Sequence, residues 1–391
     1  MFQKLGSDKD KMCKSICFVT AIPGTARAFL KEHIAALSKE YDVFLVADIK
    51  SNEDVEGLAL TGWHSINIER QISIWRDIKA VLAAIRYFRK MKFDAVHSVT
   101  PKAGLVTAIA AKLAGIKHRT HIFTGQVWAT RKGLMRFVLK SIDKVIVLCD
   151  NQIMLDGLSQ CAFMEREGVI PKGRARVFGS GSISGVDAER FVPDENARQE
   201  IRHQLGIKDS TVCFVFLGRL NHDKGIYELY EAFNRLAAER DAFLLMVGEE
   251  EEEDVSNLSA YPNIIDGKNF HYYGHTCEPE KVLCAGDVFV LPTYREGFGT
   301  SVIEAACVGL PSICSDAYGV LDAYVEGETG LRCHVGDSES LYQCMKEMYD
   351  KPEMRAKMGQ KSRERALRDF KGSDLTRYWV EFYHKVLEAQ R

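Results

Sequence analysis

Two carboxylates separated by seven residues, Glu296 and Glu304, mark the part of this chain best suited to chemistry. Glu296 stands on a glycine-rich turn after an apolar strand, and Glu304 lies on the helix predicted to begin near Ser301. A strand, a glycine turn and a helix N-terminus offer backbone N–H groups and a positive dipole end to an anion. A carboxylate on either side of that anion can accept hydrogen bonds from hydroxyl groups. The spacing therefore predicts a site for a nucleotide sugar, whose diphosphate separates the sugar hydroxyls from the ribose hydroxyls.

Two cations earlier in the chain are candidates to hold the diphosphate itself. Arg219 follows the predicted strand 212–217, and Lys224 begins the helix after it. Ligands of doubly wound sheets bind at the carboxyl ends of strands, and a guanidinium can hold a phosphate through two hydrogen bonds. When a glycosyl group leaves a nucleoside diphosphate, negative charge grows on the phosphate and fixed cations stabilise it. We therefore expect Arg219 and Lys224 to be catalytic.

Strands and helices alternate along the whole chain, which predicts an α/β protein with parallel sheets covered on both faces. The 391 residues are enough for two such doubly wound domains facing a cleft. A Gly/Ser-rich stretch at 179–185 is the best linker, which places the domains at 1–185 and 186–374. The predicted strands are Ile16–Ile22, Val43–Ala47, Ala95–Val99, Arg119–Phe123, Lys144–Leu148, Ala175–Phe178, Val212–Leu217, Phe243–Val247, His271–Tyr273, Val288–Leu291 and Ser312–Cys314. The predicted helices include Ala26–Leu37, Ile74–Met91, Ala197–Leu205 and a last helix at 375–391.

The distribution of charge narrows the possible partners. The whole chain has a net charge of −2, which gives no argument for binding nucleic acid. Residues 1–200 carry 30 Lys and Arg against 22 Asp and Glu, whereas residues 201–391 carry 22 against 32. A basic N-terminal half suits an anionic membrane surface or a lipid diphosphate. The alternative is that the asymmetry is surface composition without a partner.

The cysteines indicate a reducing compartment and no metal site. The 11 cysteines form no CxxC pair and have no histidine at zinc spacing, and many stand in apolar runs. We expect no cofactor and no metal ion, since the Asp-x-Asp at Asp8-Lys9-Asp10 lies in the polar N-terminal tail. The chain also shows no signal peptide and no run of about 18 apolar residues, so we expect a cytoplasmic protein.

Four segments of the C-terminal half resemble the retaining glycosyltransferases of family 4, which have the GT-B fold. They occur in the order and at the spacing of that family. The segments are Glu296-x7-Glu304, similar to the E-x7-E motif; Phe216–Leu220 with Lys224–Gly225, similar to GRL…KG; Gly185–Asp187 with Phe191, similar to GVD…F; and Glu328–Leu331, similar to the G.TG.L turn. The resemblance implies a GT-B fold of two Rossmann-like domains, and a last helix that packs back on the first domain. A helix that caps the second domain is the alternative.

The resemblance also implies roles for individual residues. Glu304 accepts hydrogen bonds from the ribose, and Glu296 contacts the donor sugar and joins Arg219 and Lys224 as a catalytic residue. The base lies against the turn that contains His275. The donor-binding residues implied in this way are Gly218, Arg219, Lys224, His275, Glu296, Gly297, Phe298, Gly299, Thr300 and Glu304. The family transfers the sugar by front-face attack, with the departing phosphate helping to deprotonate the acceptor.

The N-terminal domain is expected to contact the acceptor. Gly24 follows the first strand, and Lys102 is a reasonable ligand for an acceptor phosphate. His97 and His121 contact the donor sugar or are polar residues of the core, and both readings stay open. Thr124 follows the fourth strand. The segments around His97 and Thr124 resemble a bacterial subgroup that builds surface polysaccharides and lipid-linked oligosaccharides.

The segment 128–140 mixes basic, aromatic and aliphatic residues, which suits contact with a membrane surface. Its basic residues are Arg131, Lys132, Arg136 and Lys140, and they stand beside Trp128, Leu134, Met135, Phe137, Val138 and Leu139. An ordinary amphipathic helix is the alternative. A peripheral protein on the cytoplasmic face of the inner membrane would use such a segment.

Taken together, the residues and the resemblance predict a retaining, metal-independent glycosyltransferase of cell-surface glycan synthesis, such as capsule or O-antigen. It would move a hexose or N-acetylhexosamine from a nucleotide sugar, most simply a UDP-sugar, to a lipid-diphosphate-linked or polysaccharide acceptor. Two alternatives are a UDP-sugar epimerase of GT-B fold and a non-catalytic subunit that binds a nucleotide sugar. A nicotinamide dehydrogenase is disfavoured because no predicted strand is followed by G-x-G-x-x-G.

Overall fold

A computed structural model of the chain describes residues 13–69, 73–251 and 257–388. The chain divides into two compact units, Met1–Ser184 together with Gly372–Arg391, and Gly185–Lys371. We call them the N-terminal unit and the C-terminal unit. The tail that contains Asp8-Lys9-Asp10 lies outside the described residues.

Each unit is built on one parallel sheet. The strands of the N-terminal unit are β1 (Ser15–Val19), β2 (Asp42–Ala47), β3 (Gly62–Ser65), β4 (Ala95–Val99), β5 (His118–Phe123), β6 (Gln152–Leu155) and β7 (Ala175–Arg176). Those of the C-terminal unit are β8 (Val212–Leu217), β9 (Ala242–Val247), β10 (Phe270–Gly274), β11 (Val288–Leu291), β12 (Ser312–Ser315) and β13 (Gly330–Cys333).

Helices connect the strands in both units. They are α1 (Pro23–Phe29), α2 (Lys31–Leu37), α3 (Ile74–Met91), α4 (Pro101–Ala114), α5 (Gly133–Cys149), α6 (Leu158–Arg166), α7 (Glu195–Gln204), α8 (Ile226–Glu239), α9 (Pro279–Cys284), α10 (Thr300–Cys307), α11 (Ser338–Asp350), α12 (Pro352–Asp369) and α13 (Gly372–Glu388). The last of these, α13, belongs to the N-terminal unit.

The strand order locates the ligand edge of each sheet. The seven strands of the N-terminal unit run β3-β2-β1-β4-β5-β6-β7, and the six of the C-terminal unit run β10-β9-β8-β11-β12-β13. The order reverses direction between β1 and β4 in one sheet and between β8 and β11 in the other. Ligands of open parallel sheets bind outside the carboxyl ends of the strands at such a switch point. The predicted α/β class with two doubly wound sheets is confirmed.

The central strands are buried on both faces, which explains their continuous apolar sequences. Every residue of β4 and of β9 is buried, as expected for parallel strands covered by helices on both sides. The apolar core of the C-terminal unit includes Phe214, Phe233 and Phe289. Burial of these runs sets the register that brings the carboxyl ends of β8 and β11 to one edge of the sheet.

Four sequence-based assignments need correction. The predicted strand Lys144–Leu148 is the last part of helix α5, and the strand of this region is the later Gln152–Leu155. The run Val145-Ile146-Val147 has high strand propensity, but only Ile146 and Val147 are buried, on the inner face of a 17-residue helix. The predicted helix Ala26–Leu37 is two helices that meet at Leu30. The strands β3 and β13 were not predicted, and most residues of β3 are exposed.

The last helix is held in the N-terminal unit by a stack of three aromatic rings. The indole of Trp379 lies between the rings of His33 and His97, at centroid distances of 4.7 and 4.8 Å and nearly parallel to both. Trp379 also donates a hydrogen bond to the carbonyl of Ile183, and the Tyr383 hydroxyl contacts His97 Nδ1 at 2.9 Å. Trp379, His97 and Tyr383 are fully buried, so α13 completes the core of this unit.

Candidate functional site

The loop after β8 is fixed by close backbone contacts. A Cβ on Gly248 would lie 1.8 Å from the carbonyl oxygen of Gly218, so the chain after β9 approaches this loop more closely than any side chain allows. Gly225 has a φ of +71°, and a Cβ there would lie 2.1 Å from the carbonyl oxygen of Pro292. The side chain of Asn221 accepts a hydrogen bond from the backbone N–H of Lys224. The loop therefore presents Arg219 and Lys224 in a defined conformation.

Hydrogen bonds join this loop to the loop after β11. The carbonyl of Asp223 accepts from the Thr293 hydroxyl at 2.9 Å and from the Tyr294 N–H at 2.8 Å. The Asp223 carboxylate pairs with the guanidinium of Arg295 at 2.7 and 2.9 Å. The two loops that flank the switch point therefore form one rigid edge.

An ion pair between Lys224 and Glu296 lies on that edge. Nζ of Lys224 donates to Oε1 of Glu296, and the two side chains are only 17% and 13% exposed. The structure thus brings together the lysine predicted for the diphosphate and the carboxylate predicted for the sugar. Because both charges are largely removed from water, loss of either partner leaves the other without its counter-charge.

Helix α10 begins at Thr300, directly after this pair. Gly299 precedes it with a φ of +89°, and Thr300 is half-buried. The Phe298 side chain is buried and packs against Phe370 with ring centroids 5.2 Å apart. Phe298 therefore offers only its backbone to a ligand, while its side chain anchors the Gly297–Thr300 turn to the core. The assignment of Phe298 as a donor-binding residue stays a prediction, and it rests on the backbone of this turn.

Glu304 lies one turn into α10 and has an unusual carboxyl group. Burial raises the pKa of Glu304 to about 7, while the charge of Arg190 lowers it and that of Glu280 raises it. Among the described residues no side chain or N–H donates a hydrogen bond to this carboxyl group. A desolvated carboxylate without a donor has capacity for ligand hydroxyl groups.

Arg190 organises the neighbourhood of Glu304. Its guanidinium pairs with Glu280 at 2.8 Å and donates to the carbonyl of Cys277 at 2.6 Å. The charge of the same arginine lowers the pKa of Glu304. Arg190 thus joins α9 to the turn that follows β10, and its charge acts on Glu304.

Two predicted donor residues lie at the rim of the edge. The Arg219 guanidinium contacts both carboxylate oxygens of Glu251 through Nη1, at 2.7 and 2.8 Å, and about half of the arginine side chain is exposed. His275 follows β10 and is 64% exposed, with Nδ1 3.7 Å from a carboxylate oxygen of Glu249. Both predicted ligands are therefore accessible, and each faces an acidic residue of the stretch after β9.

In the N-terminal unit the structure buries both candidate histidines. His121 Nδ1 lies 2.8 Å from the Ser98 hydroxyl, and its ring packs edge-on against Phe123. Burial lowers the pKa of His121 to about 3 and lowers the pKa of His97 well below its usual range. Of the two open readings, these contacts favour neutral residues of the polar core over surface ligands.

The other acceptor candidates lie at the carboxyl edge of the same sheet. Lys102, in the first turn of α4, pairs with Asp77 of α3, and Nζ contacts Oδ2 at 2.5 Å. Before this helix Thr100 has a φ of +80°, a conformation unusual for a residue with a Cβ. Gly24 lies in the first turn of α1 rather than in a loop, and Thr124 accepts a hydrogen bond from Gln160 through its carbonyl.

Part of the segment 128–140 is engaged within the N-terminal unit. Trp128 is 1% exposed, donates to Asp143 at 2.7 Å and stacks on Phe163. Arg136 and Lys140 both pair with Glu167, at 2.8 and 2.7 Å. Three of the residues assigned to a lipid surface are therefore engaged within the unit. The residues that remain exposed are Arg131, Lys132, Leu134, Met135, Phe137 and Val138.

Sequence analysis did not identify several residues of the site. Asp223 and Arg295 pair with each other, Glu251 pairs with Arg219, and the charge of Arg190 acts on Glu304. Asp223 and Arg295 stand next to Lys224 and Glu296 in the chain, so paired opposite charges beside the two motifs were the available signal. Glu251 lies far from Arg219 in the sequence, and only the pairing of β8 with β9 brings them together.

In residues 13–69, 73–251 and 257–388 no group of three or more His, Cys, Asp and Glu side chains is placed to hold a metal ion. Within the same ranges, none of the helices combines the length and the apolar character needed to cross a membrane.

Both halves of the chain match known glycosyltransferase families. A family model described as glycosyl transferases group 1 matches residues 197–365, and one described as a glycosyl transferase 4-like domain matches residues 24–153. The chain is 30% identical over 326 residues to a capsular polysaccharide biosynthesis glycosyltransferase, CapM, of Staphylococcus aureus, covering 83% of this chain and 85% of that protein.

Two further matches extend the comparison. The chain is 24% identical to a UDP-Gal:alpha-D-GlcNAc-diphosphoundecaprenol alpha-1,3-galactosyltransferase of Escherichia coli, covering 76% of this chain and 77% of that protein. The crystal structure of Anabaena Alr3699/HepE in complex with UDP and glucose superposes with a TM-score of 0.78 at 15% identity, covering 95% of this chain and all of that one. The latter match establishes a GT-B fold.

Proposed function

Because this chain belongs to the glycosyl transferases of group 1, and is a glycosyltransferase of bacterial capsule and surface-glycan synthesis, we propose a specific reaction for it. It transfers a hexose or N-acetylhexosamine from a UDP-sugar to a lipid-diphosphate-linked glycan, with retention of the anomeric configuration and without a metal ion. The name of the Escherichia coli relative contains both a UDP-sugar and a diphosphoundecaprenol acceptor, which supports this choice.

The Lys224–Glu296 ion pair is the observation that carries the proposal. It lies at the switch point of the C-terminal sheet, between a loop with a second cation, Arg219, and the start of α10. Arg219 and Lys224 bind the donor diphosphate, with the N–H groups of Gly297–Thr300 completing the anion site. Glu304 accepts hydrogen bonds from the ribose hydroxyls.

The chemistry then needs little from the protein beyond charge and position. The bond between the anomeric carbon and the phosphate oxygen breaks, and both electrons leave with the nucleoside diphosphate. The acceptor oxygen forms the new bond on the same face of the sugar, and its proton passes to the departing phosphate. Lys224 and Arg219 stabilise the charge that develops on the leaving group, and Glu296 orients the sugar.

The N-terminal unit supplies the acceptor side of this reaction. Lys102 at the start of α4 is the cation proposed for the acceptor phosphate, and it must exchange its contact with Asp77 to bind one. The exposed apolar residues of α5, with Arg131 and Lys132, contact the anionic cytoplasmic face of the membrane, where a lipid-linked acceptor resides. Leu134 is 77% exposed and Phe137 is 69% exposed, values that a lipid contact explains.

A nucleotide-binding screen tests the donor class. The purified protein is titrated by calorimetry with UDP, GDP, UDP-GlcNAc, UDP-GalNAc, UDP-Gal, UDP-Glc and GDP-mannose, each with and without EDTA. We expect saturable binding of the uridine compounds that EDTA does not change and that an Arg219→Gln, Lys224→Gln double variant loses. Binding of guanosine compounds alone, or binding abolished by EDTA, contradicts the proposed donor or the metal-free mechanism.

A transfer assay tests the reaction. The preferred UDP-sugar is incubated with a polyprenyl-diphosphate-linked monosaccharide, and the product's anomeric configuration is read by NMR. An axial linkage from an axial donor supports retention, and inversion contradicts it. Donor binding without transfer to any lipid-linked acceptor would instead support a non-catalytic subunit.

A further inference from the structure

The acidic stretch after β9 is held against the predicted phosphate-binding loop by the backbone. Leu220 N–H donates to the carbonyl of Glu249 at 2.7 Å, and Glu251 N–H donates to the carbonyl of Leu220 at 3.0 Å. The Tyr272 hydroxyl donates to the carbonyl of Gly248 at 3.0 Å. Together with the close approach of Gly248 to Gly218, these contacts fix where the Glu251 side chain begins.

The Glu251 carboxylate meets the donors that a phosphate would use. Arg219 Nη1 contacts both of its oxygens, at 2.7 and 2.8 Å, and Asn221 Nδ2 donates to one of them at 2.8 Å. Asn221 in turn accepts from the N–H of Lys224 at 3.1 Å. A carboxylate and the edge of a phosphate present similar pairs of anionic oxygens to a guanidinium, so both bind the same fork of donors.

We propose that Glu251 is an internal competitor of the nucleoside diphosphate for Arg219. The proposal rests on the donor site described above and adds a residue outside its motifs. Without donor the carboxylate neutralises Arg219, and donor binding displaces it into solvent, to which it is already partly exposed. After transfer, Glu251 returns to Arg219 as the diphosphate leaves, so it lowers the affinity for the product and favours its release.

Glu251 stands outside the motif, unlike Glu296, the other carboxylate that pairs with a cation of the site. Glu296 stands in the motif itself, and its removal would disturb the sugar as well as Lys224. Glu251 pairs with Arg219 from the stretch after β9, so its charge can be removed while the motif stays intact. Glu251→Gln keeps the size of the side chain and its capacity to accept from Asn221.

Calorimetric titration of the full chain with UDP tests the inference. Glu251→Gln is expected to bind UDP about fivefold more tightly than the natural chain, the effect of removing one exposed competing ion pair. In the transfer assay the product inhibition constant of UDP should fall by the same factor. Glu250→Gln, one residue earlier, removes an equal charge without touching the Arg219 ion pair and should change the affinity less than twofold.

The outcomes separate this inference from the proposed function. UDP binding by the natural chain, with Glu251→Gln no tighter than Glu250→Gln, overturns the role of Glu251 and leaves the donor site standing. Absence of UDP binding in the natural chain and both folded variants overturns the donor site, and the competitor role with it. Competition at Arg219 is supported if Glu251→Gln binds UDP more tightly than the natural chain but gives no such gain when it is added to Arg219→Gln.

Discussion

The two units share one architecture but use the ligand edge of the sheet differently. At the switch point of the C-terminal unit, charged side chains pair across two loops, as in Lys224–Glu296 and Asp223–Arg295. Near the switch point of the N-terminal unit, the polar groups are His97 and Ser98, and both are fully buried. The C-terminal edge thus concentrates two ion pairs at its switch point, whereas the N-terminal edge has buried neutral groups there and one ion pair, Lys102–Asp77, at the start of α4.

The outer surfaces differ as strongly. Among the described residues, every large apolar side chain that is more than half exposed lies in the N-terminal unit, and they are Ile74, Trp75, Leu113, Leu134, Met135, Phe137, Leu148 and Leu158. They lie mainly on α3, α4 and α5, and α4 packs against both of its neighbours. The same architecture therefore presents paired charges at its ligand edge in one unit and exposed apolar side chains on its surface in the other.

The largest expected effect is on stability, from Trp379→Ala. Removing a fully buried indole between two imidazole rings should cost about 3–5 kcal/mol, since neither ring can fill the space. Denaturant unfolding, followed on the transition of the N-terminal unit, measures it. Trp75→Ala is the matched control, because Trp75 is 78% exposed, and it should change stability by less than about 0.5 kcal/mol. Equal effects of both variants would contradict the structural role given to α13.

Lys224→Ala should next abolish most of the turnover. Loss of an electrostatic stabiliser of the leaving group lowers kcat by about two orders of magnitude. Steady-state transfer assays measure this, and Lys281→Ala is the control, since the exposed Lys281 of α9 pairs with Glu278 just before that helix. Activity of Lys224→Ala close to that of the control, in a folded protein, would remove Lys224 from the mechanism.

We expect Glu304 to make donor binding by the C-terminal unit depend on pH. Burial raises its pKa to about 7, so at lower pH the free protein holds a neutral carboxyl group. If the carboxylate binds the ribose, UDP affinity rises with pH, and between pH 6 and 8 the dissociation constant should fall about tenfold. Titrations across that range measure this response.

Glu304→Gln distinguishes the titration of the Glu304 carboxyl group from the titration of the UDP phosphate. The amide does not ionise, so only the phosphate of UDP still titrates in this variant, and the pH response should become shallower. An identical pH profile for Glu304→Gln and the natural chain would contradict the ribose role.

The smallest predicted effect concerns the apolar surface of the N-terminal unit. Leu134→Ser combined with Phe137→Ser should weaken sedimentation with vesicles that contain phosphatidylglycerol about fivefold, because two exposed apolar groups no longer enter the lipid. Ile265→Ser, at an exposed position of the C-terminal unit, is the control. Binding of the double variant equal to that of the control would contradict the lipid contact.

Much of the architecture was predictable because its signals are local. The apolar periodicity of α3 predicts its bounds at Ile74–Met91, and apolar runs predict β4 and β8. The segment Lys144–Leu148 was assigned wrongly because strand propensity does not reveal which residues a neighbouring sheet will bury. The closeness of Lys224 and Glu296 could be expected, since they follow β8 and β11, which are adjacent in the sheet.

The contacts between distant residues were not predictable. The environment of His97 depends on Tyr383 and Trp379, which are almost three hundred residues away in the chain. A histidine after a strand has the same sequence signal whether it is a ligand or a core residue. Trp128 beside basic residues likewise suggested a lipid surface, and only the position of Asp143 and Phe163 shows that it is buried.

The membership of α13 in the N-terminal unit has a consequence for biosynthesis. β1 is synthesised before the C-terminal unit, but the core around Trp379 needs residues made only after that whole unit. On the ribosome, the C-terminal unit therefore has all of its residues before the N-terminal unit does. Nascent chains that stop before Gly372 should therefore expose an unfinished apolar surface around His33 and Phe18, which makes them targets for chaperones.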